Sequence, residues 1–312
     1  MLQTQSYPAA SAAGSKAQRF ADVQRALVHL NRRRLEPTVG EDRCDGDDDA
    51  HRLADCESEF LDGMRLEVSS LVADVPMSAA AFVAWFEELR RSGPGQGDPL
   101  FPWLAQEATL EEMRWFLSQE VAGEAGFDDL VALTQVKMPV RAKLEMARNY
   151  WDEMGRGGAK GMHGPMLTRL ASFLAIAPTP ETTVPEALAL NNLMVALAYH
   201  RHFAFHSVGA LGVIEMTAPT RVGFVNTGLK RLGVPAKERH YFALHATLDV
   251  RHSQAWNREV LMSLVQEDGR RARAIGEGAL LRLFCGKRCF EAYRRRLKQG
   301  RSRGENRNPT MQ

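Results

Sequence analysis

Cysteine is scarce in this 312-residue chain: Cys44, Cys56, Cys285 and Cys289 are all there is, and no pair has the Cys-x2-Cys knuckle of a zinc finger. That excludes a disulfide-stapled scaffold and favours free thiols in a reducing compartment. Cys285 and Cys289 fall on one helical face among basic residues, a setting that lowers a thiol pKa or holds zinc with outside ligands. Long apolar runs are missing too: none approaches the roughly 20 residues that cross a bilayer, and the N-terminal MLQTQSYPAASAAGSK has no signal core. A cytoplasmic protein without membrane contact is expected. Charge of one sign is lacking, with 40 Lys and Arg against 38 Asp and Glu, net +2, and the basic excess gathers at the C-terminus. No nucleic-acid surface is indicated. Alternating strand patterns are also absent, and the glycine-rich Gly155–Gly164 stretch has neither the residue order of a phosphate loop nor a strand before it.

What is present is helical periodicity. Apolar residues recur at three and four over about 51–73, 78–91, 109–122, 127–134, 139–154, 164–175, 185–216, 219–232, 236–265 and 269–298. Ser78 as a cap, Thr109 with Glu112 as a capping box, Pro185 at a helix start and Pro219 just past a helix end support an all-α chain. Residues 1–50 read as an N-terminal extension, partly disordered, with one short helix over 16–34 and a mobile linker in the acidic run Glu41–Asp49, which lacks calcium-loop spacing. A helical domain then spans 51–298, and 299–312 is a basic disordered tail. At 45% hydrophobic content the domain can bury a large core.

The most informative stretch is His245-Ala246-Thr247-Leu248-Asp249-Val250-Arg251-His252. At about 100° per residue, Asp249 and His252 lie within about 40° of His245, so two imidazoles and a carboxylate share one face. Phe242, Leu248 and Trp256 turn that face inward, where such groups are costly unless something binds them, and a metal is the simplest partner. Further donors lie elsewhere. Glu215 ends the apolar stripe Ala204, Val208, Leu211. Glu153 ends a side of its own helix, and the glycine-rich turn after it brings His163 back toward it. Glu120 and Glu124, around the end of another helix, are both able to face inward. His200, His202 and His206 sit too far round or along their helix to join the same point and read as structural. The set matches the carboxylate and imidazole donors of a two-metal centre in a helix bundle, although the Glu-x-x-His pairs of ferritin-like proteins are absent.

Asn149-Tyr150-Trp151-Asp152-Glu153-Met154-Gly155 with His163, Glu215 about thirty residues before the trio, and His245-x3-Asp249-x2-His252 together resemble the haem-oxygenase-like di-metal oxidases and oxygenases, iron-containing redox enzymes, over roughly residues 79–265. The resemblance implies an up-and-down bundle of about seven core helices, here with extra N-terminal helices. It implies two iron ions held by Glu153, His163, Glu215, His245, Asp249 and His252, and a further glutamate from the first core helix, placed at Glu120 with Glu124 left open. It also implies O2 as co-substrate. The family's outcomes include N-oxygenation, decarboxylation, desaturation and carbon–carbon cleavage, often on amino acids or fatty acids in natural-product pathways.

Ala204, Val208 and Leu211, with Phe116 or Tyr150 opposite, are the expected cavity wall, and Arg148, Arg201 or Arg251 the expected cation for a substrate carboxylate. Expected partners are a small-molecule substrate, a second copy of the chain and a reductase for turnover. The rival readings are a metal-free or haem-related enzyme of the same fold, a metal store, and a non-catalytic helical protein whose basic tail binds an acidic partner.

Overall fold

The computed structural model describes residues 15–39, 47–123 and 126–305, and among these residues every regular element is helical, with one isolated backbone bridge between Met154 and Met162. In chain order the α-helices are α1 (Lys16–Leu35), α2 (Asp47–Val72), α3 (Ala79–Ser92), α4 (Leu100–Gln106), α5 (Leu110–Gly123), α6 (Phe127–Thr134) and α7 (Val140–Glu153). They continue as α8 (His163–Phe173), α9 (Pro185–Tyr199), α10 (Ala204–Arg231), α11 (His240–Ala255), α12 (Met262–Glu267) and α13 (Arg271–Glu305). The all-α class expected from the periodicity is the class observed.

Several ends follow the chemistry of the sequence. Ser15 accepts from the Gln18 backbone N–H at 3.2 Å and starts α1. At α5 the capping box closes both ways, Glu112 accepting from the Thr109 N–H at 2.8 Å and the Thr109 hydroxyl from the Glu112 N–H at 3.2 Å. Others depart from it. The helix expected over 185–216 breaks at Tyr199 into a short 3-10 turn, Arg201–Phe203, and α10 then runs straight through Pro219. A proline removes one donor from an interior helix, and here the acceptor left without its partner is the carbonyl of Glu215, four residues back. The helix expected over 236–265 is interrupted by a π-helical segment, Trp256–Leu261. The seven-residue α4 carries a proline and was not expected, and α13 continues past residue 298 to Glu305.

The N-terminal segment is no loose appendage. Asn192 of α9 donates from Nδ2 to the Gln24 carbonyl and to its Oε1, both at 2.9 Å, and Asn31 Nδ2 donates to Asn192 Oδ1 at 3.0 Å, all buried. These amides bind α1 to the bundle because buried polar groups need each other. Residues 1–14, 40–46 and 306–312 lie outside the described residues, and with them the expected disordered start, most of the acidic linker and the end of the basic tail.

Two hydrophobic clusters make up the core. One joins α2, α3, α9, α10 and α12 around Phe82, Phe86, Leu193, Val208, Leu211 and Trp256. The other joins α4, α5, α8 and the C-terminal half of α13 around Phe101, Phe116, Leu170 and Tyr293. Cys285 and Cys289 face this interior, where burial pushes the Cys285 thiol up to about 12 and raises Cys289 as well. The basic neighbours therefore do not lower either thiol, and Cys289 Sγ donates to the Glu186 carbonyl at 3.1 Å.

α10 packs along both α11 and α13. Against α13 the backbones themselves touch. A Cβ on Gly209 would lie 1.8 Å from the Ile275 carbonyl oxygen, and one on Gly278 would lie 1.9 Å from the His206 carbonyl oxygen. Gly209→Ala and Gly278→Ala are each expected to cost about 2–3 kcal/mol or more in urea denaturation, since neither backbone can yield. Gly223→Ala, also in α10 but with open space around it, should be neutral or gain up to about 1 kcal/mol. Equal midpoints for all three variants would mean that the two helices do not meet in this way.

Candidate metal centre

Four helices and one loop converge on a single buried point. α7 ends at Glu153, and the chain then reverses through Gly155, whose φ of 58° is left-handed and whose missing Cβ leaves room for Gly161, 2.3 Å from where that atom would be. Only glycine permits this crossing. The reversal returns His163 to the start of α8 with Nδ1 2.6 Å from Glu153 Oε2, as the glycine run implied.

α11 supplies the trio. His245, Asp249 and His252 are buried on one face with Phe242. The His163 and His245 rings meet edge to face with centroids 4.5 Å apart. From α10 comes Glu215, 2% exposed, whose Oε1 accepts from Asn149 Nδ2 at 2.6 Å and whose Oε2 lies 3.5 Å from His252 Nδ1. Among the described residues two groups of potential ligands have donor atoms within 4.8 Å of one another: Glu153, His163 and His245, and Glu153, Glu215 and His252. Glu153 belongs to both. Asp249 is in neither group but faces the charges of Glu215 and Glu153.

The two imidazoles of α11 are each held through the nitrogen that faces away. His245 Nδ1 sits 2.7 Å from the Tyr241 carbonyl, which makes it the donor and leaves Nε2 free. His252 Nε2 is 3.1 Å from Asp152 Oδ2, leaving Nδ1 inward. Such outward contacts fix ring orientation in metal sites. The inward nitrogens instead face carboxylates without hydrogen-bonding geometry, His163 Nδ1 2.6 Å from Glu153 Oε2 and His252 Nδ1 3.5 Å from Glu215 Oε2, and the buried Asp249 Oδ1 has no partner. Buried donor atoms aimed at one another without satisfied hydrogen bonds are costly in a protein interior, and divalent cations would satisfy them. The residues present fit a metal centre.

The electrostatics agree. Burial, then the charge of Glu215, raises Glu153 well above the carboxylate range. Burial and the charges of Glu215 and Glu153 push Asp249 up to about 10. Burial, then the His163 ring, lowers His245 to about 4. Burial disfavours a charged His252, yet the adjacent Glu215 carboxylate, with Asp152, raises it to about 9. Carboxylates crowded this closely take up protons when no cation is present.

One expectation is corrected by the geometry. Glu120 is in neither ligand group, and its carboxylate lies instead under the charges of Arg221 and Arg282. Glu124 lies outside the described residues. The first-turn acid Asp128 of α6 lines the cavity instead, and its charge acts on both Glu153 and His163. Asp128 was missed because an acid one residue into a helix reads as a dipole partner.

The cavity itself, about 140 Å³, is lined by Leu130, Leu167, Leu190, Met194, Ile214 and Val222 among others. Ala204, Val208 and Leu211 are core residues away from it, Tyr150 packs on that core, and Phe116 stacks edge to face on Phe101 and Tyr293. The wall continues from Glu215 toward the C-terminal end of α10, through Ala218 and Val222, because the helix does not stop at Pro219. The expected cations are committed elsewhere or exposed: Arg148 pairs with Glu145, Arg201 donates to the Leu133 and Val136 carbonyls, and Arg251 faces outward. His200 and His206 are structural, as expected, against Glu57 at 2.8 Å and Glu277 at 3.2 Å.

A family described as iron-containing redox enzyme matches residues 114–287, a span that holds all of these groups. No curated protein matches the sequence.

The metal-free protein should lose stability as pH rises. Unfolded Asp and His release their protons near 3.9 and 6.5, whereas folded Asp249 and His252 hold theirs to about 10 and about 9. The folded state thus binds more protons across neutral pH, and the contribution fades toward the folded pKa values. Melting of chelator-treated protein at pH 7 and pH 9.5 should show the lower Tm at 9.5, with a smaller difference in Asp249→Asn. A Tm that rises over this range equally in both proteins would contradict the assignment.

Proposed function

This chain belongs to the iron-containing redox enzyme family, and we propose that it is a non-haem di-iron oxidoreductase that uses O2 to oxidise a small amino-acid-like or fatty-acid-like substrate. The observation that carries this reading is the pair of ligand groups sharing Glu153, since one carboxylate common to two adjacent donor sets is the arrangement a two-metal site needs.

Glu153, His163 and His245, with Asp128, would hold one iron, and Glu153, Glu215 and His252, with Asp249, the other. Bound there, ferrous iron supplies electrons for O2 reduction. The chain's own residues supply the rest. Tyr241 and Asp152 lock the tautomers of His245 and His252. Asn149 holds one Glu215 oxygen. The apolar walls on α8, α9 and α10 keep water from the reacting substrate. Repeated turnover draws electrons from outside the chain, the part of a reductase. Among the described residues no helix is long and apolar enough to cross a membrane, so the substrate is expected from solution.

Anaerobic loading with Fe(II), followed by iron counting and O2 uptake, tests the proposal. Two irons per chain are expected in the wild type, and Glu215→Ala, Asp249→Ala and His245→Ala should each lose at least one together with O2 uptake while keeping their helicity. Asp128→Ala should bind fewer irons, or bind them roughly 10–100-fold more weakly, and Glu120→Gln should keep the full complement. Full loading and undiminished uptake in Glu153→Ala, or folded wild type that binds no iron, would end this reading.

A further inference from the structure

Behind the metal-ligand cluster lies a second group of charged residues. Arg282 of α13 lines the same cavity as Glu153, His163 and Glu215. Its Nε is buried with no hydrogen-bond partner, and no carboxylate among the described residues lies within ion-pairing distance of its guanidinium. The side chain folds along its own helix over Gly286, where a Cβ would stand 2.8 Å from Nη1. Glycine at that position is what leaves room for the guanidinium. Close by, Arg221 of α10 lies over the Phe290 ring at 5.7 Å. The two arginines repel each other, and the acid acting on both is Glu120.

We propose that Arg282 is the substrate-anchoring residue of this cavity and that it recognises the carboxylate of a monoanionic substrate whose apolar stem lies along Leu167, Leu190, Met194 and Val222. This deepens the di-iron reading and rests on it for the charge count around the ligands. There, Asp128, Glu153, Glu215 and Asp249 balance two ferrous ions. Behind them, Arg221 and Arg282 face Glu120 alone, which leaves one positive charge without a partner. A partly buried guanidinium whose buried Nε has no partner gains from an anion, and one incoming carboxylate both supplies it and fits the planar fork of a guanidinium. The volume agrees with a small acid: about 140 Å³ is close to that of cavities that take one benzene, roughly six heavy atoms. A doubly charged phosphate would overfill the charge balance.

The test is calorimetric titration of the anaerobic Fe(II)-loaded protein with straight-chain carboxylates of four to ten carbons, the alcohols of the same length, and inorganic phosphate. Wild type should bind a carboxylate at least about tenfold more tightly than its alcohol, and phosphate weakly. Arg282→Gln should keep its iron and lose that preference, and Arg282→Lys should fall between. Glu120→Gln removes the opposing charge and should tighten carboxylate binding, a reversal of sign that a purely structural role would not give. No saturable carboxylate binding to wild type, equal binding of acid and alcohol, an undiminished preference in Arg282→Gln, or loss of iron from Arg282→Gln overturns the proposal. If Arg282→Gln does not fold, the Lys and Glu120→Gln variants decide by the same criteria. A protein that binds no iron yet shows the Arg282-dependent preference would retain the anion site and lose the di-iron reading. Full iron with no preference would do the reverse.

Discussion

Mutual repulsion among buried carboxylates is the constraint on which the centre of this molecule depends. Glu153, Glu215 and Asp249 are each no more than 5% exposed and come from three different helices. Burial first, and then the charge of the neighbouring acids, displaces Asp249 and Glu153 upward, so without a cation the cluster holds protons. The surrounding structure exists to hold them in place regardless. Asn149 clamps Glu215, Asp152 clamps His252, and the self-crossing glycine loop fixes His163. The result is a site preorganised around an electrostatic deficit, in which a divalent metal gains binding energy that a relaxed site would have dissipated.

Much of this was legible in the residues. Positions 245, 249 and 252 share a face by helix geometry alone, and a run of glycines between Glu153 and His163 leaves few alternatives to a reversal. What escaped reading has physical causes. Asp128 stands one residue inside α6, where an acid is equally well explained by the helix dipole. Glu120 was placed as a ligand because the family resemblance calls for a glutamate from the first core helix, and the structure sets its carboxylate against Arg221 and Arg282 instead. Pro219 read as a stop because proline removes a helical donor, yet one lost donor is tolerable inside a packed bundle, and the cavity wall moved with the correction. Arg282 had a visible signal, a single cation inside Ala279-Leu280-Leu281-Arg282-Leu283-Phe284, but which face of α13 meets the cavity is decided by tertiary packing.

The two charge groups divide the cavity between them. The acidic side is built from α6, α7, α10 and α11 and is neutral once two divalent ions are present. The basic side, on α10 and α13, retains one charge. Apolar residues from both core clusters separate them: Leu130 and Met194 belong to the first, Leu167 to the second, and Leu190 packs on both. α10 contributes to both sides, Glu215 to the acidic one and Arg221 to the basic one.

That helix is also where α13 arrives without side chains between the backbones, at Gly209 and Gly278. Helices that meet through side chains can drift over generations, one bulk traded for another while the fold is kept. Backbones in contact have nothing to trade. The α10–α13 seam therefore holds Glu215, Val222 and Arg282 in fixed register, while the rest of the cavity lining, on α6, α8 and α9, is free of that constraint. A lineage of such proteins would acquire new substrates by repainting Leu130, Leu167 and Leu190, while the spacing between the metal-binding acid and the guanidinium passes down unchanged.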